Sequence, residues 1–376
     1  MNKSALVIGA GIVGVATARA LAIKGYKVQV FDRSEKPVGA TIRNFGMIWP
    51  IGQPTGKYYN RALRSREIWI DVLTESKTWY NPSGSVHVAY RADEWQVIQE
   101  YVEVSQAYRP VSVLTAEETL ERSPALQTKG ILGSLYSADE MIVDPREAIM
   151  KVIGLLEQKY QVEFHWNRAI TQINGLRIYS GVSSWQADEI YVCSGVDFET
   201  LYPEIFAETA ITKCKIQMLR TVPQPQNWQL GPSIGGGLSF IHYKGFHVAP
   251  SLAKLTERIE REYAEYLKWG IHVMVSQNGS GELTIGDSHE YGLTFDPFDK
   301  TFINRMVLDY LAGMATFPDE TIAQSWHGIY PKMTNGSNEF VHSPEPGVTI
   351  INGLGGAGMT LSFGLCEEVI NGTYSR

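Results

Sequence analysis

Three glycines near the start of the chain, Gly9, Gly11 and Gly14, constrain its fold more than any other feature. They follow a short apolar run at residues 4–8 and precede a helix-forming stretch at residues 15–23 that ends near Gly25. A second apolar run at residues 27–31 then stops beside Asp32. Short apolar runs bounded by glycine read as buried strands, so this segment spells one β-α-β unit of a parallel sheet. Within it Gly9 permits a tight turn, Gly11 lets the backbone approach a pyrophosphate, and Gly14 lets helix pack closely on strand. The free N–H groups and the dipole of the helix start favour phosphate there, and Asp32 is placed to accept from ribose hydroxyls. Gly9, Gly11, Ile12, Val13, Gly14 and Asp32 are therefore the first candidate binding residues, for a dinucleotide.

The rest of the chain alternates two textures. Residues 144–159 form an amphipathic pattern opened by Asp144 as N-cap and Pro145 in the first turn, and lead into a strand at 162–165. Strands are also expected at 189–192, before Cys193-Ser194-Gly195, and at 348–351. Segments 85–90, 131–136, 211–221, 240–249, 271–277 and 282–286 favour β residues and carry turn chemistry such as Asn278-Gly279-Ser280-Gly281, which suggests a separate sheet. Helices are expected near 255–268 and 299–314. The expected fold class is α/β with an α+β second part: a Rossmann-type dinucleotide domain from residues 1–80, 140–210 and 320–376, interrupted by an antiparallel-sheet substrate domain from 81–139 and 211–319. A chain of 376 residues is long enough for two such cores.

Composition excludes several classes. A net charge of -7, with no lysine- and arginine-rich cluster, offers no field for nucleic acid. The three cysteines, Cys193, Cys214 and Cys366, are far apart and form neither a disulfide framework nor a metal motif, which fits a reducing cytoplasm. No membrane span is evident.

The first motif does not distinguish NAD from FAD. A second glycine-rich turn, Gly353-Leu354-Gly355-Gly356-Ala357-Gly358-Met359-Thr360, follows the last strand and opens a helix near the C-terminal end, where a helix dipole would favour negative charge on a reduced flavin. With these elements on the page, nearly the whole chain resembles the D-amino acid oxidase, glycine oxidase and sarcosine oxidase family of FAD enzymes. The resemblance rests on the first glycine motif with Asp32, on Gly39-Ala40-Thr41-Ile42-Arg43-Asn44-Phe45-Gly46, on Cys193-Ser194-Gly195, on Trp326-His327-Gly328-Ile329-Tyr330-Pro331, and on residues 353–360. It implies that Arg33 lies near the adenosine, that Arg43 and Asn44 follow the pyrophosphate towards the flavin, that Ala169 lies near the adenine, and that Ser194, Gly195, Gly355, Gly356, Ala357, Gly358, Met359 and Thr360 contact FAD. The strings at 215–221 and 286–292 are similar to a bacterial subfamily associated with phosphonate degradation, which makes aminophosphonates the favoured substrates.

Two departures from that family matter. Amino acid-oxidising relatives carry an Arg for the substrate carboxylate where this chain has Tyr330, and a phenol cannot replace a guanidinium fork. Some relatives also attach FAD through a cysteine that residues 333–352 lack, so non-covalent FAD is expected. The reaction implied is oxidation of a small primary or secondary amine, such as 2-aminoethylphosphonate or an N-alkylated relative, by hydride transfer to flavin, with imine hydrolysis and with oxygen or another acceptor regenerating the cofactor. Oxidation of an amino acid or 2-hydroxy acid, and a non-catalytic dinucleotide sensor, are the alternatives.

His327, Tyr330 and His247 are the candidate catalytic residues, with His289 a further site candidate. Asp287, His289 and Glu290 are too weak a set to imply a metal, and none is expected. Arg61 and Arg64, one helical turn apart, could hold an anionic substrate but more commonly such a pair is surface charge. Trp49 could wall the flavin pocket.

Overall fold

The computed structural model describes residues 3–375. Its first sheet has six strands, in the order Phe340–His342, Val348–Asn352, Glu189–Val192, Ser4–Ile8, Lys27–Phe31 and Glu163–His165. All neighbours are parallel except the first pair. Three of these strands coincide with the segments expected from sequence, because continuous apolar runs suit strands covered on both faces. The covering helices are Ile12–Ile23, Lys57–Glu75, Pro145–Tyr160 and Gly358–Asn371, whose inward residues share one core that includes Val7, Val15, Trp69, Ile149 and Phe363. Asp144 caps its helix as expected, accepting a hydrogen bond from the Arg146 N–H at 3.0 Å.

The second sheet has nine strands and is mixed. Ile211–Thr221 lies near one end and pairs along its length with Ile322–Met333, antiparallel, from Ile211 opposite Met333 to Thr221 opposite Ile322. Its other edge holds Leu283–Gly286 and Glu290–Gly292. Beyond these come Met274–Gln277, Ser233–Gly236, Ser85–Ala89, Gly133–Ser137 and Val111–Thr115. The segment Ile322–Met333 was grouped from sequence with the dinucleotide-binding segments; its pairing puts it in the second sheet instead.

A larger correction concerns residues 240–249. They were expected as a strand, but form the helix Leu238–His242 followed by a 3-10 turn at Lys244–Val248. Gly236 and Gly237, at φ +150° and +50°, turn the chain out of the preceding strand. Phe240 and Phe246 then bury completely, their rings 5.1 Å apart and edge to face. Aromatic content mimics strand propensity here, but tertiary burial of rings decides the backbone.

Candidate functional site

One elongated cavity of about 720 Å³ runs from the turns of the first sheet to the face of the second. That volume is typical of a pocket that buries most of a ligand. At the first end the chain is built around missing side chains. Gly9 sits at φ +104°, and a Cβ there would lie 2.3 Å from the Cys193 carbonyl oxygen. A Cβ on Gly14 would lie 1.8 Å from the Gly9 carbonyl oxygen, so the helix and the turn touch backbone to backbone.

Two helices begin at this cavity, at Ile12 and Gly358, and neither has a side-chain cap. The Ile12 N–H donates to the Thr41 hydroxyl at 2.9 Å, leaving following N–H groups of the first turn without intrahelical partners. Uncapped helix starts facing one space fit phosphate at one end and a group carrying negative charge at the other. The Ser194 hydroxyl, buried on the cavity wall and without a hydrogen-bond partner, adds an unsatisfied polar atom where a ligand would supply one.

Of the expected cofactor residues, all except Gly14 line the cavity. Gly14 lies behind them and acts through packing. Asp32 accepts from the Ala10 and Ser34 N–H groups at 2.8 and 2.9 Å, which fixes its carboxylate at the end of its strand. Arg33 pairs with Asp197, whose carboxyl stays below its usual range despite partial burial because Thr200 and Arg33 bond to it. Asn44 donates to the Ala40 and Thr41 carbonyls and accepts from the Gly46 N–H, so it holds its own loop. The Arg43 guanidinium donates to the His327 carbonyl at 3.1 Å.

The catalytic candidates separate. Tyr330 lines the cavity and is buried, and burial raises its phenol well above the ordinary value. His327 does not line it: three residues from Tyr330 on one strand, it points to the opposite face, where its Nδ1 lies 2.8 Å from Asp299. His247 is exposed and also off the cavity wall. Arg61 and Arg64 do not line this cavity either. Arg61 is buried between Glu339 and Glu368, and Arg64 pairs with Glu67 and Glu367. Trp49 does line the cavity.

The histidines that reach the cavity are His242, His272 and His289. His289 was singled out in the sequence; His242 and His272 were not, since their role comes only from convergence of separate elements. Each offers a ring nitrogen within 4.8 Å of the others. The His242 and His272 rings lie 3.8 Å apart with a 33° angle between planes, and His272 and His289 lie 5.2 Å apart at 19°. Burial, followed by mutual repulsion, pushes His242 and His272 well below the ordinary imidazole value, and burial brings His289 down to about 4. Asp287 stands among them, 3.1 Å from His272 Nε2, its carboxyl pushed well up by burial.

The sequence profile of the family described as FAD dependent oxidoreductase, DAO, matches residues 4–371. The chain belongs to that family. An FAD-dependent oxidoreductase needs a place for a dinucleotide, and the glycine turns and uncapped helix starts described above have the shape and dipoles that such a group requires. Similar solved structures include glycine oxidase from Geobacillus kaustophilus, with TM-score 0.77 at 17% identity over 100% of this chain and 96% of that one. L-proline dehydrogenase from P. horikoshii gives TM-score 0.77 at 18% identity over 100% and 95%. Iminodiacetate oxidase from Chelativorans sp. BNC1 gives 0.72 at 19% over 99% and 96%. Among curated proteins, the bifunctional protein ThiO/ThiG of Trichormus variabilis is 25% identical over 242 residues, 60% of this chain but only 35% of that longer protein. Among the described residues, no helix of this FAD-dependent oxidoreductase is long and apolar enough to cross a membrane.

Proposed function

We propose that this enzyme oxidises a small primary or secondary amine to an imine that water hydrolyses, and that its favoured substrate is 2-aminoethylphosphonate or an N-alkylated relative. The observation that carries this reading is the chemistry of the cavity at the second sheet. Tyr330 faces it; of the arginines on the cavity wall, Arg33 and Arg168 lie with the turns of the first sheet, and Arg43 reaches the second sheet but spends a guanidinium N–H on the His327 backbone carbonyl. A carboxylate substrate held by a guanidinium fork has no counterpart at this end. Three solved structures of similar fold are named for oxidation of glycine, proline and iminodiacetate, which supports a C–N bond as the reacting bond.

FAD supplies the two-electron acceptor for the hydride lost from carbon. The chain's own residues position the amine and manage its proton. Hydride loss requires the amine lone pair, so an ammonium substrate must first give up a proton. Asp287 is the carboxyl group that lines this end, and its raised pKa gives its ionised form high proton affinity. Tyr330, held neutral by burial, can orient the substrate by hydrogen bonding but cannot ion-pair with it. The test is anaerobic mixing of the flavin-loaded protein with 2-aminoethylphosphonate, its N-methyl derivative, glycine and sarcosine while the flavin absorbance is followed. Bleaching by the phosphonates alone is expected. Bleaching by glycine or sarcosine alone overturns the substrate, and a flavin that none of these amines reduces overturns this reading.

A further inference from the structure

We infer that His242, His272, His289 and Lys332 form a subsite for a doubly ionised tetrahedral anion, and that filling it draws protons from solvent. The inference rests on the amine-oxidising reading only for the identity of the anion as a substrate's phosphonate; the same chemistry would receive free phosphate.

Four separate pieces of chain bring these groups together. His242 ends the short helix that follows the glycine turn, and His272 precedes the strand Met274–Gln277. His289 precedes Glu290–Gly292, and Lys332 lies near the end of Ile322–Met333. All four line the cavity. Lys332 donates to the Tyr291 hydroxyl at 3.0 Å, and among the described residues no carboxylate lies within ion-pair distance of it. The His272 side chain is 3% exposed and its Nε2 faces Asp287 Oδ1 at 3.1 Å, yet its Nδ1 has no hydrogen-bond partner. Buried polar atoms without partners are uncommon in finished structures and point to something that occupies the space.

The arrangement favours an oxyanion over a metal ion. Metal ligation requires in-plane lone pairs that converge on one point. His272 and His289 are stacked with only 19° between their planes, so the in-plane nitrogen directions of that pair run side by side, which suits the separate oxygens of a tetrahedral group. His289 donates its Nδ1–H to the Gly270 carbonyl at 2.8 Å, so its Nε2 donates to an oxyanion only once it has taken up a proton.

The empty cluster is short of charge. Burial and repulsion, to which Lys332 contributes, hold all three imidazoles neutral. The other titratable groups do not reverse this. Tyr243 packs edge-on to His242 and His272, while Tyr291 and Tyr330 flank His289. Cys214, behind Tyr330, is pushed up to about 12 by burial, and Glu290 is paired with Lys300. Asp287 opposes an anion when ionised, but a zwitterionic amine brings its own ammonium to that carboxylate. A dianion supplies the negative charge that the imidazoles lack, so their pKa values rise on binding and each one that ionises takes up a proton.

Calorimetric titration of the flavin-loaded protein with methylphosphonate, inorganic phosphate and acetate tests this. Working at about pH 8.5, above the second ionisation of such groups (about 6 for phosphate esters), in two buffers of different ionisation heat counts protons taken up by the protein alone. Uptake of about one proton or more with methylphosphonate is expected, with acetate at least about tenfold weaker. His272→Asn should weaken methylphosphonate by about tenfold or more at unchanged flavin content. Should that variant fail to fold, the proton count on the unaltered protein decides alone. Equal binding of acetate, binding without proton uptake, or a transition metal in the purified protein that methylphosphonate does not displace overturns the inference. If amines reduce the flavin but methylphosphonate neither binds nor competes with them, the amine reading stands and this subsite falls. If methylphosphonate and phosphate bind with proton uptake while no amine reduces the flavin, the subsite stands and the amine reading falls.

Discussion

The backbone N–H of Trp49 donates to the hydroxyl of Thr360 at 2.9 Å, and both residues are buried on the cavity wall. This bond joins the loop that follows Arg43 and Asn44 to the first turn of the C-terminal helix, two stretches that sequence reasoning both placed towards the flavin. Thr360→Val keeps the shape and removes the acceptor, leaving a buried N–H unpaired at a cost of about 1–3 kcal/mol. Thr360→Ser should retain most of the stability. Thermal melts of the flavin-loaded variants check this, and equal midpoints for valine and serine would refute it.

Gly14 and Gly358 both belong to glycine motifs, yet they should respond differently to alanine. The added methyl at Gly14 would meet the Gly9 carbonyl oxygen at 1.8 Å, whereas at Gly358 the nearest atom is an Ile12 methyl at 3.7 Å, an ordinary contact. Gly14→Ala is expected to lose several kcal/mol, beyond the usual ~1–3 for overpacking, and to purify with little flavin. Gly358→Ala should melt within a few degrees of the unaltered apoprotein.

Arg61 and Arg64 face different fates one helical turn apart. Removing the buried Arg61 guanidinium strands Glu339 and Glu368, a loss of about 3–5 kcal/mol. Arg64 is partly exposed, and Arg64→Ala should cost no more than about 1 kcal/mol. Denaturant midpoints of Arg61→Met and Arg64→Ala distinguish the two. Substrate affinity of Arg64→Ala should equal that of the unaltered enzyme, and a tenfold loss would restore the anion-holding role weighed for it from sequence.

Glu140 gives a pH-dependent prediction. It is buried, accepts from the Ile51 N–H and the Ser85 hydroxyl, and burial raises its pKa from 4.5 to about 7. The folded chain therefore holds this proton more tightly than the unfolded one. Its stabilising contribution is complete below about pH 4.5 and is lost as pH rises to about 7, a change on the order of 3 kcal/mol. Glu140→Gln has no such proton to lose. Its melting temperature relative to the unaltered protein should climb between pH 5 and pH 8, and a constant difference would contradict the assignment.

Local pattern and tertiary convergence account for what the sequence revealed and what it hid. Ser4–Ile8, Lys27–Phe31 and Glu189–Val192 were legible because parallel strands covered on both faces are written as apolar runs. The glycine cradle was legible because steric exclusion acts over a few residues. Residues 240–249 misled because their aromatic rings satisfy strand propensity and a buried helical turn equally well. His327 could have been set apart from Tyr330 by counting alone, since an odd separation along a strand reverses the face. His242 and His272 carried no such signal: they meet only after the chain has folded, 3.8 Å apart from 30 positions away.

The long antiparallel pairing of Ile211–Thr221 with Ile322–Met333 closes the chain between them into a loop with a zipped stem. One arm of that stem is anchored next to the second glycine turn, Lys332 through its bridge to Leu354, and the two arms are closed at the same end by the Thr334 N–H donating to the Ala210 carbonyl. Everything between residues 222 and 321, all three clustered histidines and Asp287 included, lies within that loop, which is tied to the rest of the second sheet where Ser233–Gly236 pairs with Ser85–Ala89. Substitutions inside this loop can therefore reshape the histidine end of the cavity while the glycine turns at residues 9–14 and 353–358, which lie outside it, stay as they are.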